Sequence, residues 1–358
     1  MRKINNIFLK KKILIYGLGK SGRSTYNFLR QKAQINLFDD NPQNNLRFDK
    51  RNLSFSKIIK SHFDFIIISP GIDFSKCRLT KYLKQNSSII YTDLDVFYSF
   101  FRNDSITITG TNGKSTTAKL LHDVLRDQKK DARLIGNIGN PALSEKKITK
   151  KTIFIIEASS YQLDYSKIFR SKYSVILNIT PDHIERHKNF NNYIEAKFRL
   201  LNSQTTQSVA FVKGNDPVII KKLKSKNYKQ KIFKIDTSNT PKIFEKISNS
   251  YFLSFGNREN LIFILKICQI LSLDKEKILK TINKFKGLKY RQQIIYDNNL
   301  LSIINDSKST SFASSESLLK NLKNVYWILC GIPKKGDKFN LTKFQCKNYE
   351  AYIFGNYH

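Results

Sequence analysis

Acidic side chains are scarce in this sequence. Its 358 residues include 28 aspartates and glutamates against 63 lysines and arginines, which gives a formal net charge of +35. Such an excess favours attraction to polyanions, nucleic acids among them, at low salt. The lysines, however, are spread over the whole chain and accompany many Asn, Ile, Phe and Tyr residues. We therefore interpret the charge as a compositional bias and predict no specific nucleic-acid partner.

Cysteines and long apolar runs are also few. The four cysteines include no Cys-x-x-Cys pair, so neither a disulfide framework nor a zinc site is predicted. No apolar run approaches the roughly 18 residues of a membrane span, and the nearest, residues 261–271, is interrupted by Lys266 and Gln269. The basic N-terminus leads into an apolar run and a glycine turn, without a small-residue cleavage site. We predict a cytoplasmic protein that does not insert into membranes.

Short β-branched runs alternate with helical patterns along much of the chain. This alternation is typical of α/β proteins with parallel sheets, and 358 residues are enough for two or three domains. Turn-rich and linker segments then suggest the boundaries. We predict three domains, at residues 1–92, 93–287 and 288–358.

The most specific motif is the run of residues 109–116, Thr-Gly-Thr-Asn-Gly-Lys-Ser-Thr. It follows a β-branched run at 105–108 and precedes a helical pattern at 117–125. Strand, glycine loop, lysine and helix are the order that a phosphate-binding loop requires. The general nucleotide loop would place a glycine where this chain has Ile108, so we predict a shorter loop of a distinct kind.

The residue types in this loop fit phosphate chemistry. Gly110 and Gly113 let the backbone N–H groups turn inward without a Cβ clash, and the helix N-terminus adds partial positive charge. Lys114 can meet the β- and γ-phosphates, and the Ser115 hydroxyl can ligate Mg²⁺. The predicted phosphate-binding residues are Gly110, Thr111, Asn112, Gly113, Lys114, Ser115 and Thr116.

A second glycine turn lies near the N-terminus, where Gly17-x-Gly19-x-x-Gly22 follows a predicted strand. Asp39 and Asp40 come after the next strand, about 20 residues on, as in dinucleotide-binding proteins. The same turn serves any diphosphate-linked nucleotide, so it does not by itself indicate NAD.

Three further residues lie where a metal or phosphate site is expected. Glu157 ends a predicted strand, and His183 follows another, so both lie at the sheet edge where open α/β sheets bind ligands. Lys197, in a helical pattern, could lose its proton and react with CO₂ to form a carbamate, but the sequence alone does not favour this over a solvated lysine. The turn-rich run 136–141 could approach a ligand with its backbone.

The C-terminal half holds fewer polar motifs. Asn257 and Asn260 lie three residues apart in a predicted helix, where they could cap the helix or reach a nucleotide base. Arg291 and the polar run 305–310 open the last region, which continues with a predicted strand at 325–329 and an apolar run at 351–354.

Taken in order, these motifs resemble the Mur ligase family of ATP-dependent amide-forming ligases. The resemblance is carried by residues 109–116, 136–139, 157–162, 178–183, Lys197 in Glu-Ala-Lys-Phe-Arg, and 305–310. It implies an α/β, three-domain architecture: a Rossmann-like UDP-binding domain, a central P-loop ATPase domain with a parallel sheet, and an incomplete Rossmann-like C-terminal domain.

The resemblance also implies roles for the matching residues. Lys114 would hold the ATP phosphates, Ser115 and Glu157 one Mg²⁺, and Glu157, His183 and carbamylated Lys197 a second. Further contacts to ATP would come from Asn260, Arg291 and Asp306. The UDP-linked substrate and the closing third domain would involve Gly17, Leu18, Gly19, Lys20, Ser21, Asp39, Ser69, Gly71, Asn137, Lys308 and Thr310.

Within the family, the motifs are most similar to the branch that joins D-glutamate to UDP-N-acetylmuramoyl-L-alanine in peptidoglycan precursor synthesis. The resemblance implies an acyl-phosphate intermediate, ATP and Mg²⁺, small-molecule substrates and a monomer. The family usually has histidines where this chain has Gly256 and Tyr290, and we expect both to be tolerable changes near the adenine.

The third domain is expected to be truncated, since the family pattern continues for several strands beyond the run 351–354. One alternative is therefore a truncated or decayed homologue that binds UDP-sugar and nucleotide without completing the amide. A second, an NAD-linked oxidoreductase, would rest on the first glycine turn alone and would leave the motifs from 109 to 310 unexplained.

Overall fold

A computed structural model describes residues 6–45, 51–298, 300–309, 311–320, 322–331 and 338–354. The chain divides into two compact units. The first unit comprises residues 1–114 and 129–236, and the second comprises residues 115–128 and 237–358. This division into two units does not test the three domains expected from the sequence, which stay a prediction.

The first unit contains a small parallel sheet near the N-terminus. Its strands are β1 (Lys12–Tyr16), β2 (Gln34–Phe38), β3 (Phe65–Ile68) and β4 (Ile90–Tyr91). They lie in the order β2-β1-β3-β4, so β1 and β3 are neighbours in the middle. The helices of this region are α1 (Lys20–Leu29), α2 (Pro42–Asn45), α3 (Phe55–Ile59), α4 (Thr80–Gln85) and α5 (Asp93–Phe100).

A larger parallel sheet of six strands follows in the same unit. The strands are β5 (Ser105–Thr109), β6 (Ala132–Gly136), β7 (Ile153–Glu157), β8 (Tyr173–Ile176), β9 (Val209–Lys213) and β10 (Lys231–Ile235). Their order is β10-β9-β8-β5-β7-β6. The helices that accompany them are α6 (Lys114–Asp127), α7 (Ser160–Asp164), α8 (Ile184–His187), α9 (Phe190–Asn202) and α10 (Pro217–Lys224).

Both sheets contribute to one core. The strands are rich in β-branched residues and buried along most of their length, as expected for parallel sheets covered on both faces. Ile15 and Leu37 of the small sheet belong to the same buried cluster as Ile156 and Ile176 of the large sheet. The positions of the loops that follow these strands are therefore fixed by a shared interior.

Polar side chains set the starts of several helices. At α5, Thr92 and Asp95 form a reciprocal capping box, and Ser159 and Gln162 do the same at α7. At α10, the Asp216 carboxylate accepts hydrogen bonds from two N–H groups of the first turn. Each cap satisfies backbone donors that a helix leaves unpaired, so these local sequences determine where the helices begin.

The second unit holds residues 115–127 of α6 and the C-terminal third of the chain. Its other elements are α11 (Phe255–Ile270), α12 (Lys275–Lys284), β11 (Gln293–Asp297), β12 (Ser302–Asn305), α13 (Phe312–Leu319), β13 (Val325–Cys330) and β14 (Tyr349–Phe354). β11 pairs antiparallel with β12, and β13 pairs parallel with β14. In the part of the chain that the structure describes, no helix is long and apolar enough to cross a membrane.

Of the two roles that the sequence leaves open for Asn257, the structure excludes helix capping. α11 begins at Phe255, with Ser254 as its N-cap, so Asn257 lies inside the first turn and does not cap the helix. The Asn257 side chain is buried instead, and its Nδ2 donates to the Tyr251 carbonyl and to Gln292 Oε1, each at 3.0 Å. These two partners come from outside the helix, which a local sequence pattern does not reveal.

Candidate active site

Three adjacent strands of the large sheet end together. β5 lies between β7 and β8, with Ile108 opposite Glu157 and Thr109 opposite Ile176. The phosphate-loop sequence leaves β5, Glu157 is the last residue of β7, and the run from Asn178 to His183 follows β8. Parallel strands deliver all three to one edge of the sheet, which is the position where open α/β sheets bind ligands.

The loop after β5 has the backbone that the glycine positions predict. Gly110 has φ +156° and Gly113 has φ +83°, and a Cβ at Gly110 would lie 3.1 Å from the Leu177 Cβ. Lys114 is the first residue of α6, and its Nζ donates to the carbonyls of Gly110 at 2.9 Å and Thr111 at 2.6 Å. The ammonium group therefore lies against the loop.

The segment after β8 is hydrogen-bonded to this loop through Asn178. The Asn178 Oδ1 accepts hydrogen bonds from the N–H groups of Thr111 at 3.1 Å and Asn112 at 2.8 Å, and its Nδ2 donates to the Asn112 carbonyl. The Thr111 hydroxyl bonds to the backbone of Thr180 and approaches the Tyr193 hydroxyl at 3.0 Å. The two segments are thus held in register by side chains as well as by the sheet.

Glu157 presents a buried carboxylate at this edge. Its side chain is fully buried, and Oε1 accepts a hydrogen bond from Asn137 Nδ2 at 2.8 Å. Asn137 follows Gly136, which has φ +103° and no room for a Cβ beside the Glu157 carbonyl. Among the described residues, Glu157 Oε2 has no hydrogen-bond partner. An unpaired buried carboxylate oxygen is costly unless a ligand completes its contacts.

Lys197 lies against the loop that follows β5. It is buried on α9, its Nζ donates to the Gly110 carbonyl at 2.7 Å, and it lies 4.5 Å from the centre of the Tyr193 ring. Burial, helped by repulsion from Lys114, lowers the pKa of Lys197 well below the usual lysine value. A neutral amine at this position has the nucleophilicity that carbamate formation requires.

His183 lies at the same edge in a left-handed backbone conformation, with φ +54°. Its Nε2 is 3.3 Å from Asp182 Oδ2, and its ring lies 5.0 Å from the ring of Tyr161. In the described ranges, no three His, Cys, Asp or Glu side chains gather closely enough to form a metal site on their own. A metal site at Glu157 and His183 would therefore need a further ligand of another kind.

The predicted UDP-binding residues meet at the carboxyl edge of the small sheet. Gly17 has φ +92°, and a Cβ there would lie 2.8 Å from atoms of Ser69 and Ile72. The Ser69 hydroxyl donates to the Gly17 carbonyl at 2.7 Å, and Asp39 Oδ2 accepts the N–H of Leu18 at 2.5 Å. The remaining members of the predicted set flank these contacts in the chain and are Gly19, Lys20, Ser21 and Gly71.

In the second unit, two loops bring the predicted residues Arg291 and Asp306 together. Asp306 Oδ1 accepts the N–H of Gln292 at 3.0 Å, and the Lys308 N–H donates to the Tyr290 carbonyl at 3.1 Å. Burial is the main cause that raises the pKa of Asp306, and the Arg291 charge opposes it. Asn260 is buried on α11, while Thr310 lies outside the described residues.

Comparisons with known proteins agree on one family. Residues 108–271 match the Mur ligase middle domain. The UDP-N-acetylmuramoylalanine–D-glutamate ligase of Rickettsia felis is 33% identical, over 98% of this chain and 82% of its own length. The chain belongs to the Mur ligase family. The ligase of the same name from Francisella tularensis subsp. novicida is 32% identical, over 96% of this chain and 79% of its own.

Solved Mur ligase structures share the fold. MurF ligase from Thermotoga maritima in complex with ADP aligns with 99% of this chain and 85% of its own, at a TM-score of 0.56 and 12% identity. UDP-N-acetylmuramate–alanine ligase MurC from the same organism aligns with 96% of this chain and 85% of its own, at a TM-score of 0.55 and 15% identity. These likenesses confirm the predicted Mur ligase architecture.

Sequence reasoning missed several residues that organise the site of this Mur ligase. Asn178 lies inside a quoted motif, yet nothing in the motif shows that it would bind a loop 67 residues earlier. Gln292 joins Asn257 to Asp306 through its side chain and its N–H group, and no sequence signal marked it. Tyr193 contacts both Thr111 and Lys197, and the helical pattern around Lys197 does not indicate either contact.

Proposed function

We propose that this Mur ligase joins D-glutamate to UDP-N-acetylmuramoyl-L-alanine with ATP, as a step of peptidoglycan precursor synthesis. The names of the curated relatives support the reaction over almost the whole chain. The observation that carries the proposal is the buried Glu157 carboxylate, one of whose oxygens has no described partner, at the strand edge that also bears the loop contacted by Lys197. No comparison favours a protein that only binds these ligands.

The residues at this edge fit a magnesium site. Glu157 Oε2 offers an oxygen without a described partner, and a carbamate on Lys197 would add oxygens of the kind that Mg²⁺ prefers. We assign Ser115, Glu157, His183 and carbamylated Lys197 as the ligands. When bound, Mg²⁺ would offset the repulsion between the substrate carboxylate and the γ-phosphate.

The chemistry proceeds in two displacements. The muramoyl-alanine carboxylate attacks the γ-phosphorus of ATP, the bond to the β-phosphate oxygen breaks, and ADP leaves. Lys114 leaves the loop carbonyls and stabilises the charge that develops on the phosphates. The amine of D-glutamate then attacks the acyl carbon, phosphate departs, and the nitrogen loses a proton to give the amide. Exclusion of water protects the acyl phosphate from hydrolysis.

The outer parts of the substrates are assigned to the remaining predicted residues. The glycine turn Gly17–Ser21 with Asp39, Ser69 and Gly71 would hold the UDP end, and Asn137 would face the sugar substrate. Asn260, Arg291 and Asp306 would contact ATP, and Lys308 and Thr310 would act where the third domain closes. We expect a monomer that works in the cytoplasm, where ATP is available.

Phosphate release from ATP tests the reaction. Release should require both UDP-N-acetylmuramoyl-L-alanine and D-glutamate, and Lys114→Met should abolish it. Equal release with neither acceptor would contradict the proposal, because it would show an uncoupled ATPase. Ligand-induced thermal shifts with no amide in the product mixture would select the non-catalytic homologue instead.

A further inference from the structure

Arg186 connects the large sheet to the loop that follows β3. It lies on α8, three residues after His183, and its Nη2 donates to the Pro70 carbonyl at 3.3 Å and to the Ile72 carbonyl. Both carbonyls belong to the turn that closes over Gly17. One side chain of the segment after β8 therefore fixes the backbone of the predicted UDP-binding loop.

The other face of Arg186 contacts the large-sheet edge. Its guanidinium carbon lies 4.6 Å from the centre of the Tyr161 ring, and the Tyr161 ring lies 5.0 Å from the ring of His183. The arginine is thus placed between the two edges, with hydrogen bonds on one side and an aromatic contact on the other. Lysine cannot reproduce this planar arrangement.

A second contact joins the same two regions. The rings of Phe74 and Tyr165 stack at 5.1 Å with an interplanar angle of 16°. This stack holds the loop after β3 near the end of α7, but it touches neither Gly17 nor His183. Arg186, by contrast, links the turn itself to the segment that carries His183.

We propose that Arg186 is a positioning residue that sets the distance between the UDP-binding turn and the phosphoryl-transfer edge. The inference rests on the proposed function, because a UDP-linked acid must bind at the small sheet and present its carboxylate at the large one. Such a ligand spans both edges, so its reactive end is placed correctly only when the edges keep a fixed separation. The binding of a ligand that occupies one edge alone does not depend on the separation between the edges.

This role gives a selective expectation for Arg186→Gln. The charge-assisted hydrogen bonds to the turn are lost, so we expect KM for UDP-N-acetylmuramoyl-L-alanine to rise roughly tenfold or more. The dissociation constants of UDP alone and of ADP should stay within about twofold, since each ligand contacts one edge. Arg186→Lys, which keeps the charge without the planar group, should give an intermediate KM.

The measurements are initial rates of phosphate release and isothermal titration calorimetry with UDP-N-acetylmuramoyl-L-alanine, UDP and ADP. Arg199→Gln is the matched control, because Arg199 lies on neighbouring α9 and pairs with Asp164 at 3.8 Å. It should leave all three affinities unchanged. The lysine variant provides the result if the glutamine variant does not fold.

Two results would overturn the inference. An unchanged affinity for UDP-N-acetylmuramoyl-L-alanine in Arg186→Gln would show that the contact does not position the substrate. A parallel loss of affinity for all three ligands would show a general structural role. Calorimetry needs no turnover, so an inactive wild-type protein would count against the proposed function while the binding comparison still decides the role of Arg186.

Discussion

At the residue scale, the Glu157 charge is expected to support activity without adding to the stability of the fold. Glu157→Gln keeps an oxygen that can accept from Asn137 but removes a buried charge whose second oxygen has no described partner. We expect phosphate release to fall roughly hundredfold or more, as when one transition-state contact is removed. Thermal stability should stay equal or rise, because a buried charge without full compensation is lost.

The two readouts for Glu157→Gln are the initial rate of phosphate release and the melting temperature without ligands. Asn137→Ala serves as a companion variant, because it removes the donor and leaves the carboxylate in place. A glutamine variant with wild-type activity would rule out a metal or phosphate role for Glu157. A large drop in its melting temperature would instead assign the carboxylate a structural role.

Asn178 should affect nucleotide binding without touching the nucleotide. In Asn178→Ala, the Asn112 N–H loses its acceptor and the Asn112 carbonyl loses its donor, whereas the Thr111 N–H keeps the Asn178 backbone carbonyl at 3.0 Å. We expect the affinity for a fluorescent ADP analogue to fall roughly tenfold to thirtyfold, since a net hydrogen bond contributes about 1 kcal/mol and both side-chain bonds to Asn112 are lost. Thr180→Ala is the control, because the Thr180 contacts to the loop use its backbone. Equal affinities in the two variants would contradict the role of Asn178.

At the element scale, the sequence predicts many of the strands and a few of the helices, because periodicity and turn residues are local signals. The pattern for α6 began at residue 117, whereas the helix starts at Lys114 directly after Gly113, since the loop turn already provides a helical start. The strand that the sequence predicts to end at Glu157 is β7, whose last residue is Glu157. Pairings between distant elements, such as Asn178 with Thr111 or Arg186 with Pro70, depend on the tertiary fold and leave no local pattern.

The first turn of α5 contains a carboxyl group that makes the fold sensitive to pH. Asp93 is buried, and burial raises its pKa to about 6, against opposing hydrogen bonds from Ser21 and from the Leu94 N–H. The folded state therefore binds this proton more tightly than the unfolded chain, whose aspartates titrate near about 3.9. The stabilisation is complete at low pH and is lost as pH rises towards 6.

Asp93→Asn should remove this pH dependence, because the amide keeps an acceptor for the Leu94 N–H and carries no charge. We expect the variant to exceed the wild type in unfolding free energy by up to about 3 kcal/mol above roughly pH 7, and to match it near pH 4. Denaturant unfolding at both pH values is the measurement, with Asp104→Asn as an exposed control. A variant that is less stable than the wild type at high pH would show that the charge itself stabilises α5.

At the scale of the whole molecule, each sheet of the first unit brings polar loops to its carboxyl edge, and the shared core fixes both edges. The predicted contacts of the UDP-linked substrate belong to the small sheet and those of the reacting phosphate to the large one. The further predicted contacts of ATP, Asn260, Arg291 and Asp306, belong to the second unit. We therefore attribute the lysines outside these predicted contacts to the compositional bias of the sequence.

The net charge of +35 nevertheless has a measurable consequence. Polyanions should bind at low salt through counterion release, with an affinity that falls steeply between about 50 and 200 mM salt. Binding to single-stranded DNA of several unrelated sequences, followed by fluorescence anisotropy, should give equal dissociation constants at each salt concentration. A preference among sequences that survives at about 200 mM salt would require base contacts in addition to phosphate contacts. That result would refute our interpretation of the lysine excess as compositional bias and would give this ligase a nucleic-acid partner.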